Sequence, residues 1–146
     1  MSKIAIVTGG SRGIGKAAAL AAAAAGYDVA ISYRQDRAAA DDVVQCVRTL
    51  GRRSLAVAAD SADEGAVVHL FAEVDRQLGA VSALVNNAGI VGGSGRVEDT
   101  TADEVGRVLA INVTGCFTAA REAIKRMSTR HGGRGGSIVN ISSAAA

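Results

Sequence analysis

The sequence predicts an α/β fold, a doubly wound parallel sheet with helices on both faces, and three observations carry that prediction. Short apolar runs recur along the chain without polar alternation, the pattern of strands buried on both faces. Between them lie segments whose apolar residues are spaced three and four apart, which gives each a single apolar helix face. A glycine-rich turn, Thr8-Gly9-Gly10-Ser11-Arg12-Gly13-Ile14-Gly15, joins the first run to the first helical segment.

The first strand is Ile4 to Thr8, and the helix after the turn is built on the alanine run Ala17 to Ala25, small enough to pack closely on a sheet. The second strand runs from Val29 to Tyr33. Asp36 stands where an N-cap belongs, and Val43, Val47 and Leu50 form the stripe of the second helix. After the third strand, Ser54 to Ala59, Asp63 is the next N-cap, ahead of the stripe Val67, Leu70, Phe71, Val74 and Leu78. Gly26, Gly51 and Gly79 follow these three helices, where a left-handed residue ends a helix at little cost. The fourth strand is Ser82 to Asn86. Thr101, with Glu104 three residues on, resembles a capping box that opens a long helix with the stripe Val105, Val108, Leu109, Asn112, Cys116, Ala120, Ile124 and Met127. Gly132 to Gly136 reads as a mobile loop before the fifth strand, Ser137 to Ser142. Strands alternating with helices imply right-handed crossovers and a parallel sheet. No linker divides the chain, so one domain spans residues 1–146.

Composition excludes several classes. With 49% hydrophobic and 21% charged residues the chain has an ordinary soluble balance, and no apolar stretch reaches bilayer length. The N-terminus lacks a charged segment followed by a long apolar one, so a cytoplasmic protein without a membrane partner is expected. A net charge of +2 gives no reason to expect a nucleic acid. Arg121, Lys125, Arg126, Arg130 and Arg134 have only Glu122 among them and suit the negative end of a helix. Cys46 and Cys116 lie far apart with no histidine at ligand spacing. Both read as small buried residues, and no metal site is expected.

The glycine turn is where chemistry enters. A dinucleotide site needs glycines where the backbone turns sharply and lets a pyrophosphate approach a helix N-terminus. Gly9, Gly13 and Gly15 meet that need, which makes Ser11, Arg12 and Ile14 neighbouring contacts. The same segment nearly spells a mononucleotide loop through Gly10, Gly15 and Lys16, and Asp60 ends a strand as a magnesium-binding acid would. Ala17, however, stands where a metal-ligating hydroxyl belongs. After the second strand, Ser32-Tyr33-Arg34 places a guanidinium where NAD enzymes commonly carry an acid. Arg34 with Arg12 would pair with a 2'-phosphate, which predicts NADP rather than NAD. The alternative is a solvated Arg34, with Asp36 on the ribose.

Five motifs in order resemble the short-chain dehydrogenase/reductase family, in its common short subtype, across the whole chain. Thr8-Gly-x-x-x-Gly-x-Gly15 matches the phosphate loop, Asp60 the acid at the adenine ring, with Ser61 beside it, and Asn86-Asn87-Ala88-Gly89 the turn after the fourth strand. Asn112 in Ile111-Asn112-Val113 matches the helix asparagine of the catalytic tetrad, and Ser143, closing Ile138-Val139-Asn140-Ile141-Ser142-Ser143, the catalytic serine. Asp60 could also merely cap the next turn, and Asn86 and Asn87 could be turn formers. The resemblance implies a Rossmann-like sheet with strand order 3-2-1-4-5, and cofactor contacts at Asn87, Ala88 and Gly89. It also implies an NADP-dependent oxidoreductase that interconverts a carbonyl and an alcohol on a small-molecule substrate and self-associates when complete. In such enzymes a tyrosine phenol protonates the carbonyl oxygen as hydride arrives, a nearby lysine lowers the phenol's pKa, the serine polarises the oxygen and the asparagine helps a proton relay. The tyrosines here are Tyr27 and Tyr33 and the lysines Lys3, Lys16 and Lys125, and none forms the family's Tyr-x-x-x-Lys motif. The expectation is therefore an N-terminal portion, inactive alone, with its fifth strand at an open edge. The rival expectation is an NADP(H)-binding module or sensor without chemistry.

Overall fold

A computed structural model describes residues 2–93 and 95–143. Five parallel strands form one sheet in the order β3-β2-β1-β4-β5, as the resemblance implied. They are β1 (Lys3–Val7), β2 (Tyr27–Tyr33), β3 (Ser54–Ala58), β4 (Ala83–Asn86) and β5 (Ser137–Asn140). Ala5 pairs with Val29 on one side and Ala83 on the other, so β1 is central. The chain leaves β1 toward β3, then returns across it to β4. That reversal splits the connections at the carboxyl ends of β1 and β4 and opens a crevice there.

Successive side chains of a strand point to opposite faces, and two apolar layers follow. Ile4, Ile6, Leu84 and Val57 pack against Leu70, Phe71 and Val74 of α3 (Glu64–Gln77) and against Ala119, Ala123 and Met127 of α5 (Gly115–Met127). Val7, Val29 and Ile31 pack against Ala19 and Ala23 of α1 (Gly13–Ala24) and Ala40, Val43 and Val47 of α2 (Arg37–Thr49). Asp36 and Asp63 are the N-caps of α2 and α3, accepting from the Ala39 and Ala66 amides at 2.9 and 3.1 Å. Thr101 and Glu104 form the full capping box of α4 (Ala102–Leu109). Gly26, Gly51 and Gly79 have positive φ, as expected.

The long helix departs from its predicted face. Between α4 and α5 lies a π-helical turn, Ala110–Thr114, and the buried side is Ile111, Gly115, Thr118, Ala119, Glu122, Ala123 and Met127. Of the predicted stripe, Val105, Leu109 and Ile124 are about half exposed and Asn112 is exposed, while Met127 alone is fully buried. Two causes combine. The π turn inserts an extra residue and rotates the frame. The core-facing side is built from small residues and from polar ones satisfied locally, so it carries little hydropathy. Thr118 Oγ1 donates to the Thr114 carbonyl at 3.0 Å, and Glu122 is held by Arg121, Lys125 and Arg126. Burial pushes the Glu122 carboxyl up, but those cations more than offset it. Arg121 and Arg126 also reach α3, at Glu64 and Asp75, both at 2.7 Å, so they bridge helices as well, while Lys125 and Arg126 lie in the last turn of α5, as expected.

Smaller corrections have similar causes. Leu50 caps α2 one residue past its last buried turn and is 49% exposed. Cys46 is exposed because the buried face of α2 runs through Val43, Val44 and Val47, and Cys116 is only half-buried because that of α5 runs through Gly115, Thr118 and Ala119. Gly132 to Gly136 is a loop before β5, as expected, and it is tied to α5 and the turn after it: the Gly133 amide donates to Ser128 O and the Gly135 amide to Met127 O. A side chain at Gly133 would collide with the backbone of Arg126 and Met127. β5 ends at Asn140, two residues early, and is an edge strand among the described residues. No described helix is long and apolar enough to cross a membrane.

At the end of β2 away from the crevice, buried Asp28 accepts from the Arg53 amide at 3.0 Å and Arg53 Nε at 2.9 Å, with Arg52 at 3.1 Å. Burial raises its carboxyl pKa, and the Arg53 bonds more than reverse that, leaving it below the ordinary 3.8. A depressed folded-state pKa contributes stability above 3.8 that is lost as the pH falls through the folded value. Asp28→Asn is expected to cost about 2 kcal/mol in urea denaturation at neutral pH. The gap to the parent should close as the pH drops below 3.8, and a pH-independent gap would refute the ion-pair account.

Candidate dinucleotide site

The crevice is framed by two turns that hold each other. Thr8, just past β1, accepts through Oγ1 from the amides of Asn87 (3.0 Å) and Ala88 (3.1 Å). Asn87 returns the contact, its Nδ2 donating to the carbonyls of Thr8 and Gly9, both at 3.0 Å. From the other side, Ser32 of β2 accepts from the Gly9 amide through Oγ (3.0 Å) and from the Gly10 amide through its carbonyl (2.9 Å). Gly15 is packed so tightly that a Cβ there would strike the Gly9 carbonyl and lie 2.5 Å from Asn87 Nδ2. Gly13 is different. It has φ +54° and open space where a Cβ would sit.

This scaffold leaves the start of α1 bare. Its N-cap, Arg12, makes no capping bond through its side chain, and its first turn carries no acid. Unsatisfied amides with the positive end of a helix dipole are a ready place for an anion. The residues around it line one cleft of about 440 Å³.

All twelve residues expected to contact a cofactor line this cleft: Gly9, Ser11, Arg12, Gly13, Ile14, Gly15, Arg34, Asp60, Ser61, Asn87, Ala88 and Gly89. Ser32, Tyr33, Gln35, Asp36, Ala59, Ile90 and Ile111 complete it. Ser32 carried a readable signal, a hydroxyl inside an apolar strand that needs a partner once buried. Ile111 carried none, since its position depends on how the long helix meets the turn after β4.

Charge is uneven within the cleft. Arg12 and Arg34 are exposed cations, whereas both acids are already engaged. Asp36 caps α2. Asp60 accepts from the Ala62 amide through Oδ1 at 2.9 Å and from Arg107 Nη2 through Oδ2 at 2.6 Å. Burial pushes the Asp60 carboxyl up, but the Arg107 and Ala62 bonds and the positive charges of Arg107 and Arg34 bring it below the ordinary value.

The two expected catalytic residues stand outside the lining. Asn112, in the π turn, accepts from the Ile90 amide at 2.9 Å and donates to the Ile90 carbonyl at 2.8 Å, so it fixes the wall of the cleft from behind. Ser143 is exposed beyond β5. Asn86 lines nothing either. Its Nδ2 donates to Cys116 O (3.2 Å) and Asn140 Oδ1 (2.9 Å), tying β4 to α5 and β5. No three His, Cys, Asp or Glu side chains converge as metal ligands among the described residues.

A family model described as short chain dehydrogenase matches residues 3–146. An uncharacterized oxidoreductase of Escherichia coli is 49% identical over 142 residues, covering 97% of this chain and 58% of that protein. A 3-oxoacyl-[acyl-carrier-protein] reductase of Staphylococcus aureus is 37% identical, over 98% of this chain and 56% of its own length. A short chain dehydrogenase from Burkholderia cenocepacia, solved in complex with NADP, superposes with a TM-score of 0.88 at 44% identity, covering 97% of this chain and 56% of that one. The chain thus spans about half the length of the relatives it matches.

Proposed function

Because this chain belongs to the short chain dehydrogenase family, we propose that it provides the NADP site of an oxidoreductase that interconverts a carbonyl and a secondary alcohol on a small-molecule substrate. The observation that carries this reading is the uncapped, acid-free N-terminus of α1, set in a glycine cradle with Arg12 and Arg34 at one end. The similar Burkholderia protein, solved with NADP, supports the choice of cofactor. When bound, the dinucleotide would supply the hydride donor or acceptor.

The chain's own residues do the holding. The amides at the start of α1 hold the pyrophosphate, Asp60 and Ser61 meet the adenine, and Arg12 and Arg34 pair with the 2'-phosphate. Asn87, Ala88 and Gly89 form the opposite wall. Ser143 donates its hydroxyl to the substrate's carbonyl oxygen, polarising it for reduction. Asn112 is a positioning residue here, since both of its side-chain groups are spent on Ile90.

The test is NADPH oxidation by the complete purified protein against a panel of ketones and aldehydes. Substrate-dependent turnover is expected, with Ser143→Ala reducing kcat about a hundredfold while NADPH titration is unchanged. Saturable NADPH binding with no turnover on any carbonyl would overturn the oxidoreductase reading and leave a binding module.

A further inference from the structure

We propose that Arg107 is a positioning residue that sets cofactor selectivity: it occupies Asp60 and thereby leaves Arg34 available to a phosphate. The proposal rests on the reading of the cleft as an NADP site.

Arg107 belongs to the last turn of α4 and does not line the cleft, so it acts through another residue. Its Nη2 sits 2.6 Å from Asp60 Oδ2, while the Ala62 amide takes Oδ1. With one donor on each oxygen, the plane of the carboxylate is fixed. The turn is held a second time by α5, which packs backbone against backbone: a Cβ on Gly115 would lie 2.5 Å from the Ser61 carbonyl. The helix behind the site therefore grips residues 60 and 61 at two points, and one grip is ionic.

That charge matters because of what else surrounds Asp60. Arg34 lines the same cleft as Asp60, where its positive charge helps keep the carboxylate ionised, and it is itself exposed. Without Arg107, Arg34 becomes the remaining cation near an ionised, partly buried acid. Turning toward Asp60, it would leave a 2'-phosphate unpaired, and the uncompensated carboxylate would repel a dianion. With Arg107 in place the acid is neutralised from behind. The Arg107 side chain is 40% exposed, and ion pairs of that exposure contribute little to folding, so the consequence falls on ligand choice.

The experiment is fluorescence titration of NADPH and NADH with the complete protein and its Arg107→Ala, Arg107→Lys, Asp60→Asn and doubly substituted Asp60→Asn/Arg107→Ala forms, each checked by thermal melting. Arg107→Ala is expected to weaken NADPH about five- to tenfold and NADH less than about twofold, with Arg107→Lys retaining most of the affinity. In the Asp60→Asn background the NADPH/NADH ratio should no longer respond to Arg107→Ala. Equal losses for both cofactors with a lowered melting point would assign Arg107 a purely structural role and overturn the proposal. A ratio that still responds in the Asp60→Asn background would overturn the route through Asp60. Absence of saturable NADPH binding by the parent protein would overturn the cofactor reading itself and this inference with it, whereas tight parental binding with an inert Arg107→Ala overturns this inference alone.

Discussion

Gly15→Ala is expected to weaken NADPH binding by roughly a hundredfold, about 3 kcal/mol. The added methyl group would meet the Gly9 carbonyl and Asn87 Nδ2, neither of which can yield independently. Gly9 is fixed by its amide bond to Ser32 and its carbonyl bond from Asn87, and Asn87 also holds Thr8. Relief requires one of those bonds to break, at about 1 kcal/mol each, in addition to an overpacking cost of about 1–3 kcal/mol. The loop then shifts away from the start of α1, where the pyrophosphate would sit. Gly13→Ala provides the contrast. It meets no neighbour and bears only the strain of a left-handed φ, about 1–2 kcal/mol. Isothermal titration of both variants should rank Gly15→Ala well below Gly13→Ala. The reverse order would mean that ligand approach at Gly13, rather than packing at Gly15, limits the loop.

The sequence treats Gly9, Gly13 and Gly15 as equals, because a motif records only that no side chain is tolerated. What separates them is the position of Asn87, far away in the chain, and spacing within one segment cannot show that. Strand positions were legible because apolar runs buried on both faces and helix caps such as Asp36, Asp63 and Thr101 are local features, whereas the strand order came with the family resemblance. The face of the long helix was not, since Thr118 and Glu122 face the core with their polar groups satisfied by near neighbours, and the π turn shifts the frame midway. Asn112 illustrates both outcomes. Its motif marked it out and its amide does hold backbone, at Ile90, but it is exposed rather than buried. Arg107 carried no signal at all, being one more arginine on a helix until α4 lies beside Asp60.

Arg34→Ala is expected to raise the Kd for NADPH about a hundredfold and that for NADH no more than about threefold, because only NADPH carries the 2'-phosphate that a guanidinium binds through charge-assisted bonds. The rival assignment has Asp36 contacting the ribose and Arg34 merely solvated. Asp36 is committed to the Ala39 amide as the cap of α2, and Asp60 is committed to Ala62 and Arg107. Arg12 and Arg34 are thus the charged groups of the cleft left open to a ligand, and they favour a dianion over a pair of hydroxyls. Arg34→Glu should go further and invert the preference, since a carboxylate repels the phosphate and accepts from ribose hydroxyls. Salt gives an independent check. Arg34 is exposed, so its pairing with phosphate is screened, and NADPH affinity should fall with ionic strength more steeply in the parent than in Arg34→Ala. Equal losses of NADPH and NADH in Arg34→Ala, or identical salt slopes, would mean that Arg34 shapes the end of β2 without touching the phosphate.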